Sequence, residues 1–133
     1  MSEFRHAVRK WVKPEDLNQH GALFGGRLLQ WVDEEAAIIA VAQLGTTDVV
    51  TRHMSEIDFV SRAERGDLLE LDYRVHGFGR TSITLGCRVE NAVTGQEVLT
   101  LERIVFVAVD DEGRPVEHGR TETTEGTERL RRE

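Results

Sequence analysis

The chain reads as an α+β domain in which one long central helix is wrapped by a curved antiparallel sheet. Three observations predict this. Residues 26–44 are free of proline, rich in helix formers and closed by Gly45. Apolar residues surround that stretch almost completely, as in a helix buried on most sides. Three later segments alternate apolar and polar residues with period two between short turn sequences. One such helix and an antiparallel sheet bury each other when the sheet curls around the helix.

The elements follow in order. Residues 5–12 form a first strand, and 11–26 are turn-like, with Pro14, the His20-Gly21 pair and the Gly25-Gly26 pair. After the helix, residues 49–60 read as one strand whose phase is disturbed near His53 and Met54, the mark of a bulge. Leu69, Leu71, Tyr73 and Val75 then face one way, and Ile83, Leu85, Cys87 and Val89 repeat the pattern. The segment 99–109 begins as an alternation and becomes a continuous apolar run. Turns at 77–79 and 91–95 join these three strands into a meander. That makes five strands. The domain spans 1–116, and residues 117–133 form a charged tail expected to be flexible or loosely docked.

At 133 residues the chain has the length of one domain. A net charge of −7 and the lack of any Lys/Arg cluster argue against a nucleic-acid partner. The lone cysteine, Cys87, excludes an internal disulfide and reads as a buried hydrophobe. The amino terminus has no apolar signal region, and no apolar run approaches membrane-spanning length. A cytoplasmic enzyme without metal or redox cofactor is expected, since the five histidines are scattered and no zinc or serine-hydrolase motif is present.

Three acids lie in the helix. At about 100° per residue, Arg27, Gln30 and Glu34 share a polar stripe, and Glu35 falls near Leu28 and Trp31. Asp33 sits beside the stripe among Leu29, Ala37, Ala40 and Leu44, where a carboxylate is costly unless paired or used. Gly25 and Gly26 leave backbone N–H groups open at the helix start, suited to polarising a carbonyl. Gly25 and Asp33 are separated by about 12 Å along a helix. If both act on one carbonyl, two antiparallel copies must supply them, which predicts a homodimer with composite sites. Asn18 and His20 are either turn residues or polar groups reaching the same carbonyl. The segment 77–82 is either a glycine hairpin with an exposed arginine or a phosphate cradle.

Four blocks, 14–26, 31–37, 77–83 and 106–115, identify a resemblance. In family order, the chain resembles the hot-dog-fold acyl-CoA thioester hydrolases of the YciA-like and cytosolic brain-type group. The resemblance implies hydrolysis of an acyl-CoA to a free acid and CoA. It implies Asp33 as the catalytic carboxylate, Asn18 as a second catalytic polar residue, and Gly25 and Gly26 as the oxyanion contact. Gly79, Arg80, Thr81 and Ser82 correspond to the CoA-binding turn. Such proteins are commonly hexamers, trimers of hot-dog dimers. The chain departs from the family over 61–67, where Arg62 or Arg65 stands ready for a phosphate, and in the unusually polar 51–55 strand. The rivals are a non-catalytic acyl-CoA-binding module and a hydratase, and the second lacks the histidine it would need on the helix.

Overall fold

A computed structural model describes residues 5–124 of the chain. The elements are β1 (Arg5–Trp11), a 3₁₀ turn (Pro14–Asp16), α1 (Gly25–Leu44), β2 (Val49–Met54), β3 (Ile57–Phe59), β4 (Leu68–Phe78), β5 (Ser82–Asn91) and β6 (Glu97–Ala108). They form one antiparallel sheet in the order β1-β4-β5-β6-β2, with β3 also on β6. This is the hot-dog arrangement.

The expected five strands become six. The register on β6 shifts between Thr51 and His53, the expected irregularity. The strand then breaks at Ser55, which donates its N–H to the Arg103 carbonyl at 2.9 Å. The Ser55 hydroxyl accepts the Arg103 N–H, also at 2.9 Å. One residue thus satisfies both backbone groups of Arg103 while the chain steps past, and pairing resumes at Ile57 opposite Leu101.

The helix packs a stripe of Leu28, Val32, Ala36, Ile39, Ala40 and Leu44 against the sheet. Inward residues of β4, β5 and β6, among them Leu71, Leu85, Leu101 and Phe106, close the core. Gly45 ends the helix in the left-handed region at φ 74, with its N–H on the Val41 carbonyl. Burial on most sides is only partly met within one chain. Gly26, Gln30, Glu34 and Ile38, four residues apart, remain an exposed stripe.

Beyond β6 the chain turns at Asp110–Arg114 and runs back, with the Val116 N–H on the Ala108 carbonyl. Within the expected tail, His118, Arg120 and Thr124 hydrogen-bond to the β4–β5 turn, to each other or to Gln43 of α1. The rest of that tail, 125–133, lies outside the described residues. No helix among the described residues is long and apolar enough to cross a membrane.

Candidate active site

The site begins at the amino end of α1. Phe24 caps the helix in an extended conformation with no side-chain hydrogen bond, so the first turn keeps open N–H donors at Gly25 and Gly26. Neither glycine has a positive φ. A Cβ at Gly25 would meet only the Phe59 ring at 3.5 Å, and one at Gly26 only the Phe24 ring at 3.8 Å. The fold itself therefore does not demand glycine here. What glycine provides is unobstructed approach to the helix end from outside.

A loop wraps this end. Asp16, only 5% exposed, accepts the Lys13 N–H at 2.9 Å and holds the Arg27 guanidinium at 3.4 Å. The Phe24 N–H donates to the Asp16 carbonyl, which ties the 3₁₀ turn to the helix start. A cavity of about 260 Å³ opens between Asp16, Leu17, Phe24, Gly26, Arg27 and Gln30. Asn18 Oδ1 accepts the N–H groups of His20 at 2.8 Å and Ala22 at 3.2 Å. Asn18 is thus a turn former, as one of its two readings had it. Its Nδ2 group has no partner among the described residues and stays available. His20 is exposed in the same loop, and its carbonyl accepts from Arg62 at 3.2 Å.

The three helix acids separate cleanly. Glu34 is exposed and accepts from Gln30 at 3.2 Å, and Arg27 in turn reaches Gln30. Glu35 pairs with Lys10 of β1 at 3.1 Å. Half-buried Asp33 has no basic partner among the described residues. Its Oδ1 accepts the Thr51 hydroxyl at 2.8 Å, and Oδ2 makes no bond among the described residues. A carboxylate held at one oxygen and free at the other can take a proton from water or attack a carbonyl.

Below it, the Tyr73 hydroxyl donates to the carbonyl of Val32 at 2.8 Å, pinning the peptide that leads into Asp33. Burial, and then the neighbouring Cys87, drives the Tyr73 hydroxyl far above the usual phenol range, so it remains a neutral donor. Sequence reasoning missed Thr51 and Tyr73. The polar character of the 51–55 strand was the one signal for Thr51, and Tyr73 gave none beyond an inward position.

The remaining predicted residues lie elsewhere in the chain. Gly79, Arg80, Thr81 and Ser82 form the β4–β5 turn near the carboxyl end of α1, where the 116–124 segment contacts both. The 20-residue helix spans about 30 Å, so within one chain this turn is remote from Gly25. Arg62 belongs to the other end, bonded to the His20 carbonyl and paired with Glu64 at 3.3 Å.

A larger cavity of about 400 Å³ lies on the face of the sheet opposite α1, beside Asp72, Arg74, His76 and Glu102. It contains none of the candidate residues, and two of its charges are paired, Asp72 with Arg5 at 2.7 Å and Arg88 with Glu97 at 3.1 Å. No group of three or more His, Cys, Asp or Glu among the described residues is placed to hold a metal ion.

Comparison with known proteins places the chain in a family. The family model of the thioesterase superfamily covers residues 20–98. The uncharacterized acyl-CoA thioester hydrolase YkhA of Bacillus subtilis is 34% identical over 108 residues, 79% of this chain and 62% of the relative. The chain therefore spans under two thirds of that protein's length. An acyl-CoA hydrolase from Staphylococcus aureus, solved with butyryl-CoA, CoA and CoA disulfide, superposes with a TM-score of 0.73 at 32% identity, covering 85% of this chain and 68% of that one. Structures of that hydrolase also exist with a threonine, an aspartate or an asparagine replaced by alanine. The hexameric thioesterase y2039 of Yersinia pestis gives a TM-score of 0.74 at 31% identity, over 83% of this chain and 91% of that one. The family model spans more than half the sequence, and the long helix, its open glycine end and the unpaired helix aspartate stand within the matched region. The chain belongs to the thioesterase superfamily.

Proposed function

We propose that the protein hydrolyses acyl-CoA thioesters to free acid and CoA, in sites shared between two antiparallel copies. The observation that carries this reading is the pairing of an open glycine helix end with an aspartate two turns on, held at Oδ1 by Thr51 and free at Oδ2. The Staphylococcus hydrolase, solved with butyryl-CoA, supports the substrate class. An aspartate, an asparagine and a threonine have each been replaced by alanine there, the same residue types as Asp33, Asn18 and Thr51.

In this reading the thioester carbonyl docks on the N–H groups of Gly25 and Gly26, where the helix dipole favours developing negative charge. The partner copy supplies the aspartate. Asp33 either takes a proton from water as it attacks, or attacks directly to give a mixed anhydride that water then cleaves. The Asn18 amide and His20 flank the carbonyl. CoA departs as a thiolate, so no strong acid is required. The Gly79–Ser82 turn and Arg62 are the proposed contacts to the CoA phosphates. Their placement at opposite ends of one chain suits a site built from two. The hexameric Yersinia neighbour supports a hexamer, proposed here to be a trimer of such dimers.

The test is thiol release from acyl-CoAs of increasing chain length. Wild type turns over, and Asp33→Asn loses about 100-fold or more in kcat with assembly and CoA binding intact. Binding without turnover in wild type would favour a non-catalytic acyl-CoA module, and near-normal turnover by Asp33→Asn would remove Asp33 from the chemistry. In a single turnover in heavy-oxygen water, label enters the product acid if Asp33 activates water. Label in Asp33 itself identifies an anhydride that water cleaves at the Asp33 carbonyl, whereas cleavage at the acyl carbonyl labels the product acid as the general-base route does.

A further inference from the structure

The carboxy-terminal segment makes a specific contact that the reading above does not use. The backbone N–H of His118 donates to the Arg80 carbonyl at 3.2 Å. The His118 ring reaches the same turn, with Nε2 2.9 Å from the Ser82 carbonyl. Its other nitrogen, Nδ1, accepts the N–H of Arg120 at 2.9 Å. A carbonyl only accepts and an amide only donates, so these partners assign the hydrogen to Nε2. The ring edge packs on Phe78 with centroids 5.9 Å apart.

The segment is itself anchored. Fully buried Gln43 donates to the Thr124 carbonyl at 2.7 Å and accepts the Thr124 N–H at 2.8 Å. Arg120 adds a bond to the Gln43 carbonyl at 3.3 Å.

The consequence falls on the turn. The N–H groups of Arg80 and Thr81 have no backbone partner among the described residues. In a trans peptide the carbonyl and the following N–H point in opposite directions. Holding the Arg80 carbonyl on the segment therefore aims the Thr81 N–H away from it, as a preformed donor. Ser82 is fixed from two sides, since its carbonyl also takes the Gly79 N–H at 3.0 Å.

We infer that His118 is a positioning residue, a clamp that sets the Gly79–Ser82 turn in the shape that binds the CoA phosphates. The inference rests on that turn being the CoA contact. His118 does not touch the reacting carbonyl, so it governs affinity and not the chemical step.

The test compares KM for an acyl-CoA, Kd for CoA and kcat across wild type, His118→Ala, His118→Gln and Arg80→Ala. His118→Ala raises KM and Kd about ten-fold, the scale of one or two lost hydrogen bonds, with kcat within about two-fold. His118→Gln carries an amide that can donate to Ser82 and accept from Arg120, and it restores KM to within about three-fold of wild type. Should the alanine variant not fold, His118→Leu fills the volume beside Phe78 without a donor and shows the same rise in KM. An unchanged KM in the donor-free variants while Arg80→Ala raises it overturns the clamp and leaves the CoA turn standing. A fall in kcat at constant KM, or a glutamine variant no better than alanine, also overturns it. An unchanged KM in Arg80→Ala overturns the CoA reading of the turn itself.

Discussion

Asp33 differs from its neighbours because of what holds it. Glu34 and Glu35 bond to Gln30 and Lys10, whereas Asp33 is met by a neutral hydroxyl that orients it without neutralising it. Thr51→Val keeps the shape and removes that hydroxyl. It is expected to lower kcat about ten-fold at nearly constant KM, as one orienting hydrogen bond is lost. Steady-state kinetics check this, and a rise in KM alone would mean that Thr51 shapes the acyl channel instead. The separation of Asp33 from Glu34 was legible in the sequence because a helix wheel needs only local spacing. Thr51 was not, because the bond crosses 18 positions and depends on where β2 lies. Cys87 was legible as a hydrophobe, and burial pushes its thiol up to about 12. The folded protein is therefore expected to give no signal with a disulfide reagent and one thiol per chain after denaturation. A prompt signal from native protein would contradict that burial.

At the scale of elements, period-two alternation revealed β4, β5 and β6 because each has one face on the helix and one outward. The break between β2 and β3 was hidden, since it depends on Ser55 meeting Arg103 across 48 positions. Gln43 was the unread signal for the docked segment: an amide in the buried stripe of an apolar helix needs a partner, and Thr124 is that partner. The loop before α1 depends on Asp16 in the same way. Asp16→Ala removes the acceptor of the Lys13 N–H and the partner of Arg27, at an expected cost of about 1–3 kcal/mol. Asp16→Asn, which still accepts from Lys13, is expected to recover part of that loss. Urea denaturation measures both, and equal stability of Asp16→Ala and wild type would show that the loop is held by its other contacts.

At the scale of the whole molecule, one chain leaves its proposed machinery divided. The glycine end and Arg62 lie at one end of α1, Asp33 two turns along, and the Gly79–Ser82 turn at the far end. The exposed stripe through Gly26, Gln30, Glu34 and Ile38, with Phe24 and Phe59 exposed nearby, gives a second copy a surface to cover. The eight-residue spacing of Gly25 and Asp33 carries the proposal of two copies, on the condition that both residues act on one carbonyl, whereas no spacing pointed to the docking of the last segment. The central claim is that these two residues act on one carbonyl from different chains. Gly25→Pro tests the glycine end, because proline is accepted at the first helical position and removes the N–H. Gly25→Ala, which keeps the N–H and adds only a Cβ beside the Phe59 ring, is the control for obstruction of the helix end. Alone, Gly25→Pro is expected to lose about 100-fold in kcat, as one oxyanion donor is removed. The deciding measurement is thiol release after Gly25→Pro and Asp33→Asn chains are mixed, dissociated and reassembled. Random pairing makes half the dimers hybrid, each with one intact composite site, so about a quarter of wild-type activity returns. Activity no greater than the sum of the two separate variants would contradict a shared site.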